Sequence, residues 1–311
     1  MLSWPLTAAL ATAGVAVDRW LGEPRTAHPL VGFGTLAIRI EARLNTGRRG
    51  RLAGLLAWGL AVLPPVLVAM GLIAALPFAA ACAVHVMLLW FALGARSLSD
   101  HLEPIARALA QRDLAEARKL TARIVSRETA HADEAALARA AVESALENGN
   151  DAIFGALFWF AVAGGPGALA FRLANTLDAM WGYRTPRYLR FGWAAARIDD
   201  VLNWIPARLT AASYALLGDT RAGWRCWREQ APRWDSPNAG PVMAAGAGSL
   251  NVLIGGPAVY HGSIEQRPVL GVGRPAAAHH IVAALHLVHR TITLWLAVLI
   301  VLALLSVPFH G

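Results

Sequence analysis

From Leu52 to Ala95 the chain carries no Asp, Glu, Lys or Arg, and no other feature restricts its fold so severely. Backbone amides placed in hydrocarbon find no water to bond with, so such a stretch must satisfy its own hydrogen bonds as helix. At about 20 residues per crossing it is long enough for two spans, with Leu76-Pro77 as the tight turn between them. A second charge-free stretch runs from Thr291 to the C-terminus, and Leu2–Val17 makes a third, shorter candidate. Composition agrees: the chain is 56% hydrophobic and 15% charged, against about 25% charged for an ordinary soluble domain. Ala11-Thr12-Ala13 resembles a signal-peptide cleavage site, but no basic region precedes it, so the segment is read as retained.

The formal charge of +8 raises the question of nucleic acid, yet Lys119 is the sole lysine and the arginines are scattered along the loops. That distribution excludes a nucleic-acid footprint. It suits orientation instead: Arg19, Arg25, Arg39, Arg43, Arg48, Arg49 and Arg51 flank the first spans, and short Arg-rich loops stay cytoplasmic. Residues 96–151 then return to the same side. Cys82 and Cys226 make neither a C-x-x-C motif nor a disulfide framework.

The expected fold is all-α: a polytopic membrane helical bundle, one domain over residues 1–311, with broken or re-entrant helices and a cytoplasmic helical insert at 96–151. Charges at helical spacing in that insert predict two helices. The first runs from about Ser99 to Ile124, with Arg107, Asp113, Glu116 and Lys119 on a solvated face. The second starts near Thr129 or Asp133 and runs through Leu146, and Asn148-Gly149 ends or bends it. Along it Arg139, Glu143 and Glu147 share one side, joined by Asp151 only if Gly149 does not break the helix. Like charges at that spacing cost about 0.2–0.5 kcal/mol per pair unless something positive covers them.

The apolar run 152–171 is interrupted by GGPG at 164–167, too early for a complete crossing, which predicts a broken or re-entrant helix. Pro206–Gly218 and Ala239–Val259 are read the same way, the latter rich in the Gly and Ala that permit close helix packing. Between them Trp224, Trp227 and Trp234 alternate with arginines, a composition suited to lipid headgroups.

Polar side chains in so apolar a chain need partners, and they concentrate in four places. Asp18, Glu23 and His28 follow the first span. Arg127, Glu128 and Thr129 go with Glu143, Glu147, Asn148 and Asp151. Arg172, Asn175 and Asp178 succeed one another at i+3, and Asp199, Asp200 and Asn203 share a fourth segment. Each has a plainer reading: an inter-helix ladder for the third, a cap or pairing with Arg197 and Arg208 for the fourth, a turn at His28, and a helix start at Ser236-Pro237-Asn238. Jointly they are expected to border a polar cavity between helices. Carboxylates beside arginines suit a phosphate held through Mg²⁺. No G-x-x-x-x-G-K-[ST] is present, so nucleotide binding of the P-loop type is excluded.

Seven segments in order carry a family resemblance: GEPRTAHPLVGFG (22–34), VSRET (125–129), AVESALENGNDAIFGALFW (141–159), NTLDAMWGY (175–183), ARIDDVLNWIPARL (196–209), SPNAG (236–240) and LIGGPAVYHG (253–262). Over most of its length the chain thereby resembles the adenosylcobinamide-phosphate synthases of cobalamin biosynthesis. Glu23 and Glu128 stand where that family more often has aspartate. The resemblance implies a multi-pass enzyme of the bacterial inner membrane, its active site facing the cytoplasm. It implies amide formation between adenosylcobyric acid and aminopropanol or its phosphate, with ATP as co-substrate and Mg²⁺ as cofactor. The bilayer and other membrane-bound late cobalamin-pathway enzymes are the implied partners.

Amide formation calls for an activated carboxyl and a base for the amine. On that chemistry Glu143, Glu147 and Asp151 are the catalytic candidates, with Glu147 and Asp151 on Mg²⁺ and Glu143 on the amine. Arg127 with Arg197 or Arg208 would hold phosphate. The substrate-contact set is completed by Asp18, His28, Asn148, Asn175, Asp178, Tyr183, Asp199, Asp200, Asn203, Ser236 and Asn238. A transporter with a midplane site and a non-catalytic sensor or scaffold are the competing classes.

Overall fold

A computed structural model describes residues 2–23, 29–47, 50–260 and 262–306. His28, together with Arg25, Arg48 and Arg49, lies outside them. Among the described residues four stretches of helix are long and apolar enough to cross a membrane: Gly50–Ala75, Phe78–Ala110, Glu134–Trp181 and Ala278–Ser306. The chain is an all-α polytopic membrane protein, and it divides into two compact units.

The first unit takes in residues 1–94, 151–203 and 296–311. It contains α1 (Trp4–Leu21), α2 (Pro29–Leu44), α3 (Gly50–Ala75), α4 (Phe78–Ala92) and α8 (Gly155–Trp181), with the start of α9 (Trp193–Leu217) and the end of α12 (Ala278–Ser306). The α3–α4 pair is the expected hairpin, and extended Pro77 starts α4. On α3 the buried face is small, with Ala53, Gly54, Ala57 and Ala61, whereas Leu55, Leu56, Leu60, Leu63 and Leu67 point outward. Small residues inward and large apolar ones outward is the packing of a helix bathed in lipid. That small face meets Leu169, Leu173, Leu177 and Trp181 of α8, and Trp181 stacks edge-on against Phe191.

The GGPG segment does break its helix. Ala163 and Gly164 leave helical geometry, Gly164 at φ +64°, and the second half restarts behind them with Pro166 in its first turn. Gly165 N–H, freed by the break, donates to Nδ1 of His85 on α4 at 2.8 Å.

The second unit takes in residues 95–150 and 204–295. It contains α5 (Ala95–Ala110), α6 (Leu114–Thr121), α7 (Glu134–Gly149), α10 (Thr220–Gln230), α11 (Ala239–Ser249), the rest of α9 and α12, and five short strands between 252 and 275. The predicted helix over Ser99–Ile124 is two helices. Arg112 at φ +60° turns the chain, and Asp113, read as part of a solvated face, caps α6 through Glu116 N at 3.0 Å. The next helix starts as expected, Asp133 accepting from Ala136 N at 2.8 Å.

Pro206 does not interrupt α9, which continues through it. The Gly/Ala-rich segment after 239 is helix only as far as Ser249. Every residue of α11 is buried, and the chain then turns at Asn251 (φ +52°) into β1 (Val252–Gly255). β1 lies between antiparallel β4 (Val269–Gly271), with Ile254 opposite Leu270, and parallel β5 (Arg274–Pro275). β2 (Ala258–Tyr260) and β3 (Ser263–Glu265) form a separate antiparallel pair.

Candidate functional site

In the second unit the chemistry gathers on α7. Buried Glu143 receives Gly255 N–H from the end of β1 at 2.7 Å on Oε1. Arg267 donates Nη1 to Oε2 at 3.0 Å and Nη2 to Oε1 at 3.2 Å. Arg127 adds a further bond from Nη2 to Oε2. Backbone and side-chain bonds hold both arginines in place: Arg267 Nε donates to Gly256 O at 3.1 Å, and Glu128 N donates to Val259 O at 2.8 Å. Glu128 Oε1 in turn accepts from Gly262 N at 2.6 Å, so its longer side chain anchors the VSRET segment to the β2–β3 pair. Burial drains the charge of Arg267, but Glu143 more than offsets it and leaves the guanidinium more firmly protonated than usual.

One turn along, half-buried Glu147 lies within electrostatic reach of Glu143, Arg127 and Arg267. Arg139, on the same side of α7, donates Nη2 to Pro257 O at 3.2 Å. Asn148 is exposed, and its amide is taken by Ser144 of its own helix at 2.9 and 3.0 Å. Elsewhere in this unit Arg208 bonds Asn238 Oδ1 at 3.0 Å and Pro237 O at 3.2 Å. Ser236 Oγ accepts from Ala239 N at 3.1 Å, but α11 starts at Ala239 with Asn238 at its N-cap, so Ser236 and Pro237 precede the helix start that the sequence places on them.

After Gly149 the chain makes one wider helical turn, Asn150–Phe154, before α8. A wide turn shifts the angular register, so Asp151 does not continue the line of Glu143 and Glu147. Its charge acts instead on Arg172 and Asp199 in the first unit.

That unit collects most of the remaining acids. Arg172 reaches Glu23 at 3.9 Å and is within range of Asp18 and Asp151. Asp199 accepts from Asn203 Nδ2 at 3.1 Å and, more loosely, from Asn175 Nδ2 at 3.4 Å. Burial, and then the charges of Asp151 and Asp178, push its carboxyl well above the usual carboxylate range against those two bonds. Asp178 folds over Gly182, leaving no space for a Cβ there. Asp200, whose carboxyl is also raised by burial, meets Arg197 at 3.6 Å on the exposed side, and Tyr183 is exposed.

The expected clusters thus regroup by unit. Asp18, Asp151, Asp178, Asp199 and their amides gather in the first, and Arg127, Glu143 and Glu147 in the second. Arg267 and the bond of Arg139 to Pro257 O escape the sequence reading. The sequence hint for them is that Glu143 and Glu147, like charges at i, i+4, need something positive over them.

Over residues 11–288 the chain matches the family model described as CobD/Cbib protein. It is 58% identical over 286 residues to the cobalamin biosynthesis protein CobD of Stutzerimonas stutzeri, covering 91% of this chain and 94% of that one. It is 53% identical over 302 residues to the protein of that name from Chromobacterium violaceum, covering 95% and 96%. The Mycobacterium tuberculosis protein of that name is 41% identical over 286 residues, 88% of each chain. No solved structure matches. The chain belongs to the CobD/CbiB family.

Proposed function

We propose that this family member, whose role is in cobalamin biosynthesis, is an ATP-dependent ligase of the bacterial inner membrane with its site open to the cytoplasm. It would join a propionate carboxyl of adenosylcobyric acid to aminopropanol or its phosphate. The observation that carries the reading is the Glu143–Arg127–Arg267 constellation, with Glu147 and Arg139 beside it.

A carboxylate is a poor electrophile, so one of its oxygens first attacks the terminal phosphorus of ATP, giving an acyl phosphate and ADP. The amine nitrogen then attacks the acyl carbon, its proton is removed, and orthophosphate leaves as the amide forms. Guanidiniums suit the phosphoryl oxygens, and Arg127 and Arg139 are the proposed holders. Glu143 accepts from two arginines and a backbone amide. That saturation fits a residue that fixes the arginines better than one that takes a proton. Proton removal is therefore assigned to Glu147, which accepts no comparable set of bonds among the described residues.

Among the described residues no group of three His, Cys, Asp or Glu side chains is arranged to hold a metal. Mg²⁺ needs only one or two carboxylates when phosphate oxygens complete its shell. Asp151 and Asp199, whose charges act on each other, are the proposed donor pair. Bound there, Mg²⁺ would bring a compensating cation to the acids of the first unit. Asn175 and Asn203 position Asp199.

The test is coupling by purified protein of adenosylcobyric acid to each amine, followed by mass spectrometry. Amide formed only with ATP present supports the reading, and no ATP-dependent amide with either amine rejects it.

A further inference from the structure

In the part of α9 that belongs to the second unit, residues 204–217, Trp204, Ile205, Leu209 and Leu216 are exposed along one side of the helix. An uncovered apolar stripe on a membrane protein is a surface for lipid. Arg208 is the one charged residue in that stretch and lies on the same side, four positions after Trp204. Its guanidinium is held over the Trp204 ring at 4.3 Å. Nη1 donates to Trp204 O at 2.8 Å and Asn238 Oδ1 at 3.0 Å, and Nη2 donates to Pro237 O at 3.2 Å. All three acceptors are neutral, so the cation is fixed in place with its charge uncompensated by them. A cation beside hydrocarbon calls for an anion.

α10 brings more of the same chemistry. It buries Ala222, Gly223 and Cys226 and turns Arg221, Trp224, Arg225 and Arg228 outward. Trp227 stacks nearly flat on Trp224, with ring centres 4.9 Å apart. Where Arg208, the last turn of α10 and the 231–237 segment meet, a cavity of about 450 Å³ opens. Arg208 and Arg228 stand on its wall with Trp227 and Trp234, and Asp235 is the one acid among its lining residues. Guanidinium forks match phosphate oxygens, and indoles settle at headgroup depth, where one end of a ligand is wet and the other apolar. We propose that this cavity seats the headgroup of an anionic phospholipid, its phosphate on Arg208 and Arg228 and its acyl chains along the exposed stripe of α9. Such binding is independent of whatever reaction the protein performs.

The test equilibrates purified protein in neutral detergent with equal amounts of phosphatidylglycerol and phosphatidylcholine and identifies the retained lipid by native mass spectrometry. Phosphatidylglycerol should be retained over phosphatidylcholine by about tenfold, the scale of one charge-assisted contact. Arg208→Gln should remove the preference. Because Arg208 also holds Pro237 and Asn238, Arg228→Gln serves as a second variant: that side chain is exposed, and its loss should remove the preference with the melting temperature unchanged. Arg221→Gln takes the same charge from α10 at a position that does not line the cavity, and it should leave the preference intact. Equal retention of the two lipids, a preference that survives Arg228→Gln, or one lost equally in Arg221→Gln would overturn the assignment. Displacement of the lipid by an excess of glycerol 3-phosphate would also overturn it, by giving the cavity to a free phosphate ester.

Discussion

Arg267 grips Glu143 with two parallel bonds, Nη1 to Oε2 at 3.0 Å and Nη2 to Oε1 at 3.2 Å, across 124 positions of chain. Two-pronged guanidinium–carboxylate pairing is among the stronger polar contacts proteins make. Here it ties the loop after β3 to α7, where Arg127 and Gly255 N–H bond the same carboxylate.

Glu143→Gln should therefore destabilise the protein, because it leaves two largely buried guanidiniums around a neutral amide. Removing one partner of a buried pair costs about 3–5 kcal/mol. Chemical denaturation in detergent measures it. Unfolding indistinguishable from the parent protein would show that the pairing does not hold this region together.

Glu147→Gln should leave stability nearly unchanged and lower the rate of amide formation by roughly 10²–10⁴-fold, the range for loss of a general base. Comparing melting temperature with product yield separates the two effects. Full activity would reject its assignment.

Asp199 offers a pH test. Its carboxyl is raised, so the folded state favours the neutral form. The stabilisation from protonation is complete below the unfolded value of 3.8 and disappears as pH rises through the folded one. Asp199→Asn has no such titration. The parent protein should lose stability relative to this variant as pH rises above about 4. A difference independent of pH would mean that the carboxyl is not buried as described.

Glu41 shows the opposite sign. It is 2% exposed, and Arg187 reaches both its oxygens, Nη2 at 2.6 Å and Nε at 3.0 Å, while Asn45 adds a bond at 2.7 Å. The bond from Arg187 lowers its carboxyl chiefly, against the effect of burial. The resulting stability is present above the unfolded carboxylate value and is lost as pH falls through the folded one. Arg187→Gln should lower the melting temperature at neutral pH and do so progressively less in acid. Arg187 is mostly exposed, so the effect is expected to be small.

Gly54→Ala tests the small face of α3. A Cβ there would lie 1.9 Å from the carbonyl oxygen of Phe191, a backbone atom that cannot swing aside. A loss of about 1–3 kcal/mol is expected from such overpacking, read as a lower melting temperature.

Local chemistry was legible in the sequence. The charge-free run before Arg96 gave the α3–α4 hairpin, Asp133 announced the start of α7, and GGPG marked the break at Gly164 because glycine alone takes that φ at little cost. What escaped depends on partners distant in the chain. Asp113 looks like one more solvated charge until Arg112 turns the backbone. Asp151 leaves the line of Glu143 and Glu147 because a single wider turn follows Gly149, which no residue pattern distinguishes from a continued helix. The strands after Ser249 are two to four residues long, too short for alternation to register. Arg267 acquires meaning only once those strands carry it to Glu143.

The most direct measurement follows an oxygen atom. Adenosylcobyric acid labelled with ¹⁸O in its propionate carboxyl is coupled to the amine by purified protein with ATP and Mg²⁺, and the orthophosphate released is weighed by mass spectrometry. Activation by phosphoryl transfer requires one labelled oxygen per amide to appear in that phosphate alongside ADP. Amide formed with unlabelled phosphate, or with the label in AMP, would contradict the acyl-phosphate chemistry assigned to this site.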